Sequence, residues 1–294
     1  MLINADDYGI GLETSRGILQ LGVNRHITSS VVLVNSPQAE PSVQEWHAAG
    51  QPMELGWHPT LTIDRPLLPV HQVPTLVDAA GRFFKLGGFL QRLLTRRLRP
   101  AEMYAELLAQ YRRCTDLLGQ PPAIINTHHH IQIFPPIGAI LKDIIRAQSP
   151  PPYKRLVREP WPMLWRIPGA RFKRLVLNHF GRREARRQRA AGLLGNDWLI
   201  GVTNPPIVHD PEFFIRWVSR VPGNVVELTC HPGRYDPTLI GRDCTATDGM
   251  VERRVRELEL LGQPDFLEAC RRANFTLISP AQLRRIYTGE ALAV

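Results

Sequence analysis

The chain has 294 residues, 44% of them hydrophobic, and carries a formal net charge of +9 with a pI near 9.9. That is enough apolar material for one sizeable core, and no Ser/Gly-rich spacer divides it. Two classes are excluded: Cys114, Cys230, Cys244 and Cys270 form no CxxC pair and are too sparse for a stapled secreted fold, and no apolar stretch reaches the roughly 18 residues that a membrane span needs.

The chain runs at once into a candidate strand, without the basic and long apolar regions of a signal peptide, so a cytoplasmic protein with reduced thiols is expected. Short runs rich in Val, Ile and Leu recur near residues 2–5, 30–34, 53–57, 123–126, 155–158, 198–202, 224–230 and 274–278, the pattern of buried parallel strands. Helical patterns alternate with them at 13–21, 100–118, 137–147, 212–219 and 264–272. The clearest places Met103, Leu107, Tyr111, Cys114 and Leu118 on one face, with Pro100 suited to a first helical position and Gly119 to the turn after the last. This alternation predicts an α/β fold, a distorted (β/α) TIM-like barrel with parallel strands, and an open doubly wound sheet is the competing architecture. The gap between the third and fourth runs exceeds an ordinary crossover, which predicts an inserted lid at about 63–98 with a turn at Asp78–Phe83. The whole of 1–294 reads as one domain, with a second, basic and amphipathic insertion at about 160–192.

Most of the excess positive charge lies between Lys154 and Arg189, where Glu159 and Glu184 are the acidic residues. Trp161, Trp165, Phe172, Leu175, Val176, Leu177 and Phe180 are interleaved with the arginines. A solvated helix explains such a run, and so does peripheral contact with an anionic membrane. Nucleic-acid binding is not expected, because the segment matches no RNA- or DNA-binding module and would leave the histidines unexplained.

Polar residues stand at the ends of separate apolar runs: Asp6-Asp7 after LINA, His58 after MELGW, His128 to His130 after AIINT, and His231 after VVELTC. Strands of a parallel barrel all finish on one face, so these distant residues can converge there. Each has a plain reading of its own, as a capping aspartate, a packing histidine, a solvated loop or a turn histidine. Together, one carboxylate and two imidazoles make a three-ligand catalytic metal site with an open position, and the spare carboxylate and histidine supply a general base and a general acid. In extended chain at most alternate members of the histidine triple share a direction, so one ligand, one substrate-facing ring and one structural ring are expected. Spacing alone reaches a metal-dependent hydrolase.

The segments NADDYG (Asn4 to Gly9), ITSSVVLVN (Ile27 to Asn35), ELGWHPTLT (Glu54 to Thr62), THHHIQIFP (Thr127 to Pro135) and ELTCHPGRYD (Glu227 to Asp236) resemble, in order, the motifs of the YdjC-like carbohydrate deacetylases, a family with chitooligosaccharide and hopanoid-associated branches. The resemblance runs through about residue 280. It implies a distorted (β/α)-barrel that removes acetyl groups from N-acetylated sugars with one divalent metal cation, magnesium or zinc. It makes Asp7, His58 and His128 the metal ligands, Asp6 the base and His231 the acid; His129, His130 and Asn35 are further candidate substrate contacts. Arg158 and Glu159, in LVREPWP, match a less constant position that orients the base or touches the sugar; an ordinary ion pair at a strand end explains them equally.

The implied substrate is an N-acetylated amino sugar, either an oligosaccharide or a glycolipid of the N-acetylglucosaminyl hopanoid type. The number of subunits is left open, a homo-oligomer included. The chain departs from the family pattern at Asn126, where Asp is common, at Gln132, where His is frequent, and at Trp57 and Pro59, where Leu is usual. Rival readings are a metal-dependent phosphoesterase on a similar barrel, which needs more ligands than three, and a sugar-binding barrel without turnover.

Overall fold

The computed structural model describes residues 1–148 and 151–289. Seven parallel strands form one sheet: β1 (Leu2–Tyr8), β2 (Ser29–Val32), β3 (Glu54–Trp57), β4 (Ile124–Ile125), β5 (Tyr153–Lys154), β6 (Trp198–Ile200) and β7 (Val226–Cys230), in the order β5-β4-β3-β2-β1-β7-β6. Helices cover the outside: α1 (Leu12–Val23), α2 (Ala39–Ala48), α3 (Leu86–Leu94), α4 (Pro100–Leu118), α5 (Pro135–Arg146), α6 (Met163–Arg166), α7 (Arg171–Ala190), α8 (Phe213–Val218), α9 (Met250–Leu261), α10 (Pro264–Arg272) and α11 (Pro280–Thr288). With helices on one face and packed side chains on the other, β1, β2 and β7 are buried along their whole length, which is why they read as continuous apolar runs. α4 begins on Pro100 and ends on Gly119 at φ 69°, as its terminal residues predict.

The sheet is a distorted barrel, not a closed ladder. Its two edges meet through irregular backbone, where Leu199 N–H donates to the Arg158 carbonyl at 2.7 Å. The predicted strand at 155–158 lies two residues early, at Tyr153–Lys154, because the side-chain amide of Asn196 takes both the N–H (2.7 Å) and the carbonyl (2.9 Å) of Leu156. The expected eighth strand is absent from the sheet. Residues 275–278 are squeezed between Asn274, at φ 58°, and the capping box of Ser279, and meet the chain just before β1, where Ile278 N–H bonds the Met1 carbonyl and the Met1 amino group donates to the Thr276 carbonyl. No helix among the described residues is long and apolar enough to cross a membrane.

The chain after β5 is tied to the barrel by buried polar groups. Lys154 Nζ donates to Glu184 at 2.9 Å and to Gln188 at 3.0 Å, and Arg174 pairs with Glu159. α7 lies so close to the segment after β5 that a Cβ on Gly181 would collide with the Val157 carbonyl. All four cysteines are buried and unbridged.

Candidate active site

At the carboxyl ends of the strands one pocket is lined by Asp6, Asp7, His58, His128, His129, His130 and His231, together with Lys173, Asp243, Arg253 and Arg254. In a regular strand Asp6 and Asp7 would point to opposite faces. The register with β2 slips between Ala5 and Tyr8, and Asp7 takes φ 71°, so the bulge turns both carboxylates inward. The histidine triple is bent as sharply: His129 (φ 57°) and His130 (φ 56°) are consecutive left-handed residues inside a 3-10 turn over His128–Ile133. Gln132 holds that turn through Thr127, and the Pro59 carbonyl accepts from His128 N–H at 3.0 Å. The departure at Gln132 thus serves, through its side chain, to shape the loop that carries His128.

Asp7 is the hub. Its Oδ1 lies 3.1 Å from His58 Nε2 and 3.0 Å from His128 Nδ1, while Arg254 Nη2 occupies Oδ2 at 2.7 Å. Ligand atoms of Asp7, His58 and His128 all lie within 4.8 Å of one another, and all three side chains are buried. His58 Nδ1 sits 2.9 Å from the Asn126 carbonyl, which can only accept, so Nδ1 carries the hydrogen and the Nε2 lone pair of the neutral ring faces a carboxylate oxygen. A proton or a metal cation shared between Nε2 and Oδ1 satisfies that contact, and the same position suits a metal ligand. His128 shows the same demand: burial alone would lower its pKa, but Asp7 and then Asp243 overcome it and push the ring up to about 10. Against its own burial, Asp7 is held well below the usual carboxylate range by Arg254 first and His128 next. These donors, one carboxylate oxygen and two imidazole nitrogens, with the far sides of Asp7 and His58 bonded and Asp243 3.4 Å from that of His128, fit a divalent cation.

Asp6 is set apart from this cluster by its partners. Arg155 grips both oxygens, at 2.7 and 2.8 Å, and Asn4, Asn126 and Thr229 donate at 2.7, 3.3 and 3.1 Å. Burial opposes its charge, yet Arg155 and then His58 keep the carboxyl below its ordinary pKa, so it stays ionised. His231 Nε2 lies 3.9 Å from Asp6 Oδ2. On the other side of the ring, Arg253 Nη2 is 3.1 Å from Nδ1 while Arg253 Nε donates to Glu257 at 2.7 Å, and the same Glu257 accepts from His231 N–H. Nδ1 is therefore the acceptor and Nε2 carries the hydrogen that faces the pocket. Burial first, and Arg253 second, hold this imidazole well below its ordinary pKa.

The other sequence-predicted residues divide. His129 is exposed in the pocket and bonded to Thr62 at 2.9 Å; His130 is buried, with Nδ1 unbonded. Asn35 is not among the residues lining the pocket: its amide holds the carbonyls of Ile63 and Arg65. Arg158 and Glu159 line a separate small cavity; Arg158 lies over the Trp198 ring, and Glu159 pairs with Arg174. The arginine that orients Asp6 is Arg155, three residues earlier, because the backbone turns out of the sheet before Arg158 is reached.

Sequence reasoning missed Arg155, Asp243, Arg253, Arg254 and Glu257. Three of them left a signal: Arg253, Arg254 and Glu257 fall on the same buried face of α9 as Val251, Leu260 and Leu261, and charges there need a partner inside. Arg155 follows Lys154 at the start of the predicted run at 155–158 and left no signal of its own. Asp243, 3.4 Å from His128 Nε2 and 3.2 Å from Arg254, lies in a loop and left none.

The chain matches the model of the family described as YdjC-like protein over residues 1–272. Chitooligosaccharide deacetylases of Yersinia pestis (strain Pestoides F) and Yersinia pseudotuberculosis serotype O:1b (strain IP 31758) are each 26% identical to it over 280 residues, covering 94% of this chain and 96% of theirs. A solved structure from Enterococcus faecalis V583, provisionally described as a cellobiose-phosphate cleavage protein, superposes with a TM-score of 0.77 at 21% identity, over 96% of this chain and 97% of that one. That likeness is one of fold.

Proposed function

The chain belongs to the YdjC-like family, and from that premise we propose that it is a metal-dependent hydrolase that removes the N-acetyl group from an N-acetylated amino sugar, with short oligosaccharides as the substrate class. The observation that carries this reading is the meeting, in one pocket, of the Asp7, His58 and His128 donor set with a separately held Asp6 and His231. Asp7, His58 and His128 would hold a divalent cation, which would supply Lewis-acid polarisation of the acetyl carbonyl and acidify water.

The remaining chemistry is assigned to the chain's own groups. Asp6 accepts the proton of the attacking water, on the Oδ2 side that faces His231. Its low basicity, set by Arg155, means that water must already be acidified for the transfer to proceed. His231 presents Nε2–H on the same side and gives its proton to the departing amine. The imidazolium is a minority form, because burial and Arg253 disfavour it, and for the same reason it is a strong acid once formed. Arg254 fixes Asp7 by Oδ2 and leaves Oδ1 free for the cation. His129, exposed at the pocket wall, and the buried His130 are proposed to contact the sugar.

The test is product analysis on N-acetylglucosamine oligomers with protein stripped of metal and then reconstituted with zinc or magnesium. One acetate and one free amine per sugar unit processed is the expected result. Release of phosphate from sugar phosphates, without acetate from the oligomers, would replace this reading with a phosphoesterase.

A further inference from the structure

The two tryptophans that are exposed among the described residues, Trp161 (52%) and Trp165 (59%), lie four positions apart, beside Phe172 (81%) at the start of α7. Their exposure is built in, not frayed. Met163, Leu164 and Ile167 are buried and anchor the same loop. Arg174, itself buried and paired with Glu159, donates to the carbonyls of Met163 and Ile167 at 2.7 Å each and of Gly169 at 3.2 Å. The loop's own polar groups are thus satisfied inward while its rings point out.

Beyond the aromatic end, Leu175, Val176, His179, Arg182, Arg183 and Arg186 line a surface groove of about 600 Å³ along α7. The two acidic residues of the segment, Glu159 and Glu184, are buried in pairs with Arg174 and Lys154, so the outer face from 160 to 192 bears cations alone. The Arg182 guanidinium lies 5.9 Å from the Trp161 ring, joining the basic and aromatic parts. The patch reaches the active site: Lys173, between Phe172 and Arg174, lines the pocket that holds Asp6 and Asp7.

We infer that this face docks on an anionic lipid bilayer surface, with Trp161, Trp165 and Phe172 at the headgroup level and the arginines of α7 against the lipid phosphates. Aromatic rings favour the boundary between water and acyl chains, and clustered arginines favour a negative leaflet. A face whose exposed charges are cationic, apart from the Asp197 carboxylate beside Arg189 at the far end of α7, matches that partner. Docking sets the mouth of the pocket beside the membrane. The inference stands independently of the deacetylase reading, since vesicle binding is measured without substrate.

The test is co-sedimentation of the whole protein with vesicles of equal parts phosphatidylglycerol and phosphatidylcholine, against phosphatidylcholine alone. Binding to the anionic vesicles at low salt, largely lost near 1 M salt where the Debye length is about 3 Å, is the expected result. The double variant Arg182→Glu/Arg186→Glu should weaken it at least tenfold, and Trp165→Ala severalfold, with thermal unfolding and acetate release from soluble oligomers unchanged in both. Equal sedimentation with both vesicle types, or full binding by the charge-reversed variant, would overturn the inference. So would displacement of the protein from anionic vesicles by a short RNA that it binds more tightly, which would reassign the face to nucleic acid.

Discussion

Arg155 closes a two-pronged ion pair on Asp6, at 2.7 and 2.8 Å, inside a barrel where neither side chain reaches solvent, and the rest of its guanidinium is bonded to Glu227. Arg155→Met leaves two buried carboxylates facing each other without a cation. Loss of one partner of such a pair costs roughly 3–5 kcal/mol. The sign with pH is definite: the Asp6 pKa is depressed in the fold, so its contribution is present above the unfolded value of about 4 and is lost as pH falls through the folded one. The gap in denaturant stability between wild type and Arg155→Met should therefore be large at pH 7 and narrow below about pH 4. An equal gap at both would mean that packing, not charge, is what Arg155 provides.

Asp6→Asn keeps the shape of the site and removes the proposed proton acceptor. Cation affinity should be retained, and turnover should fall by about 10²- to 10⁴-fold, the usual worth of acid–base assistance. Calorimetric metal titration and steady-state rates on the same preparation check both halves; near-normal turnover would place the base elsewhere.

Asp243 lies 3.4 Å from the far nitrogen of His128 and shares Arg254 with Asp7. Carboxylates in that position orient a ligand histidine, and their loss weakens metal binding by roughly 10- to 100-fold. Asp243→Asn is expected to show that loss in direct titration while keeping kcat within a few-fold at saturating metal.

Arg253 governs His231. The imidazole pKa is lowered by burial first and by Arg253 next, so the protonated form thins out as pH rises through a range below the ordinary histidine value. A rate that needs this form declines along the same limb. Arg253→Gln removes the cation and should carry the alkaline decline of kcat to higher pH, with Glu257 left to hold the His231 backbone. A profile that does not move would separate Arg253 from the acid step.

Much of the site was legible because strand ends announce themselves. Asp6, Asp7, His58, His128 and His231 each follow an apolar run, and a parallel sheet sends all such ends to one side, so their convergence needed only the order of elements. The bulge that turns Asp6 and Asp7 the same way, and the left-handed pair His129 and His130, depend on non-local packing that no local pattern encodes. The same limit hid the loss of the eighth strand, where the run at 275–278 is apolar enough but is pinned between a tight turn and a helix cap. Arg155 and Arg158 are three residues apart and both follow the β5 run; only the Asn196 clamp on Leu156 decides which one faces Asp6.

The central claim is that Asp7, His58 and His128 hold one divalent cation on which deacetylation depends. Acetate release from an N-acetylglucosamine oligomer, followed as zinc or magnesium is added to metal-stripped protein, tests it most directly. No release without metal, a rise that saturates at one bound equivalent, and no recovery at any metal concentration in His128→Ala are the expected results. Release from the stripped protein, or a rise that requires two equivalents, would contradict it.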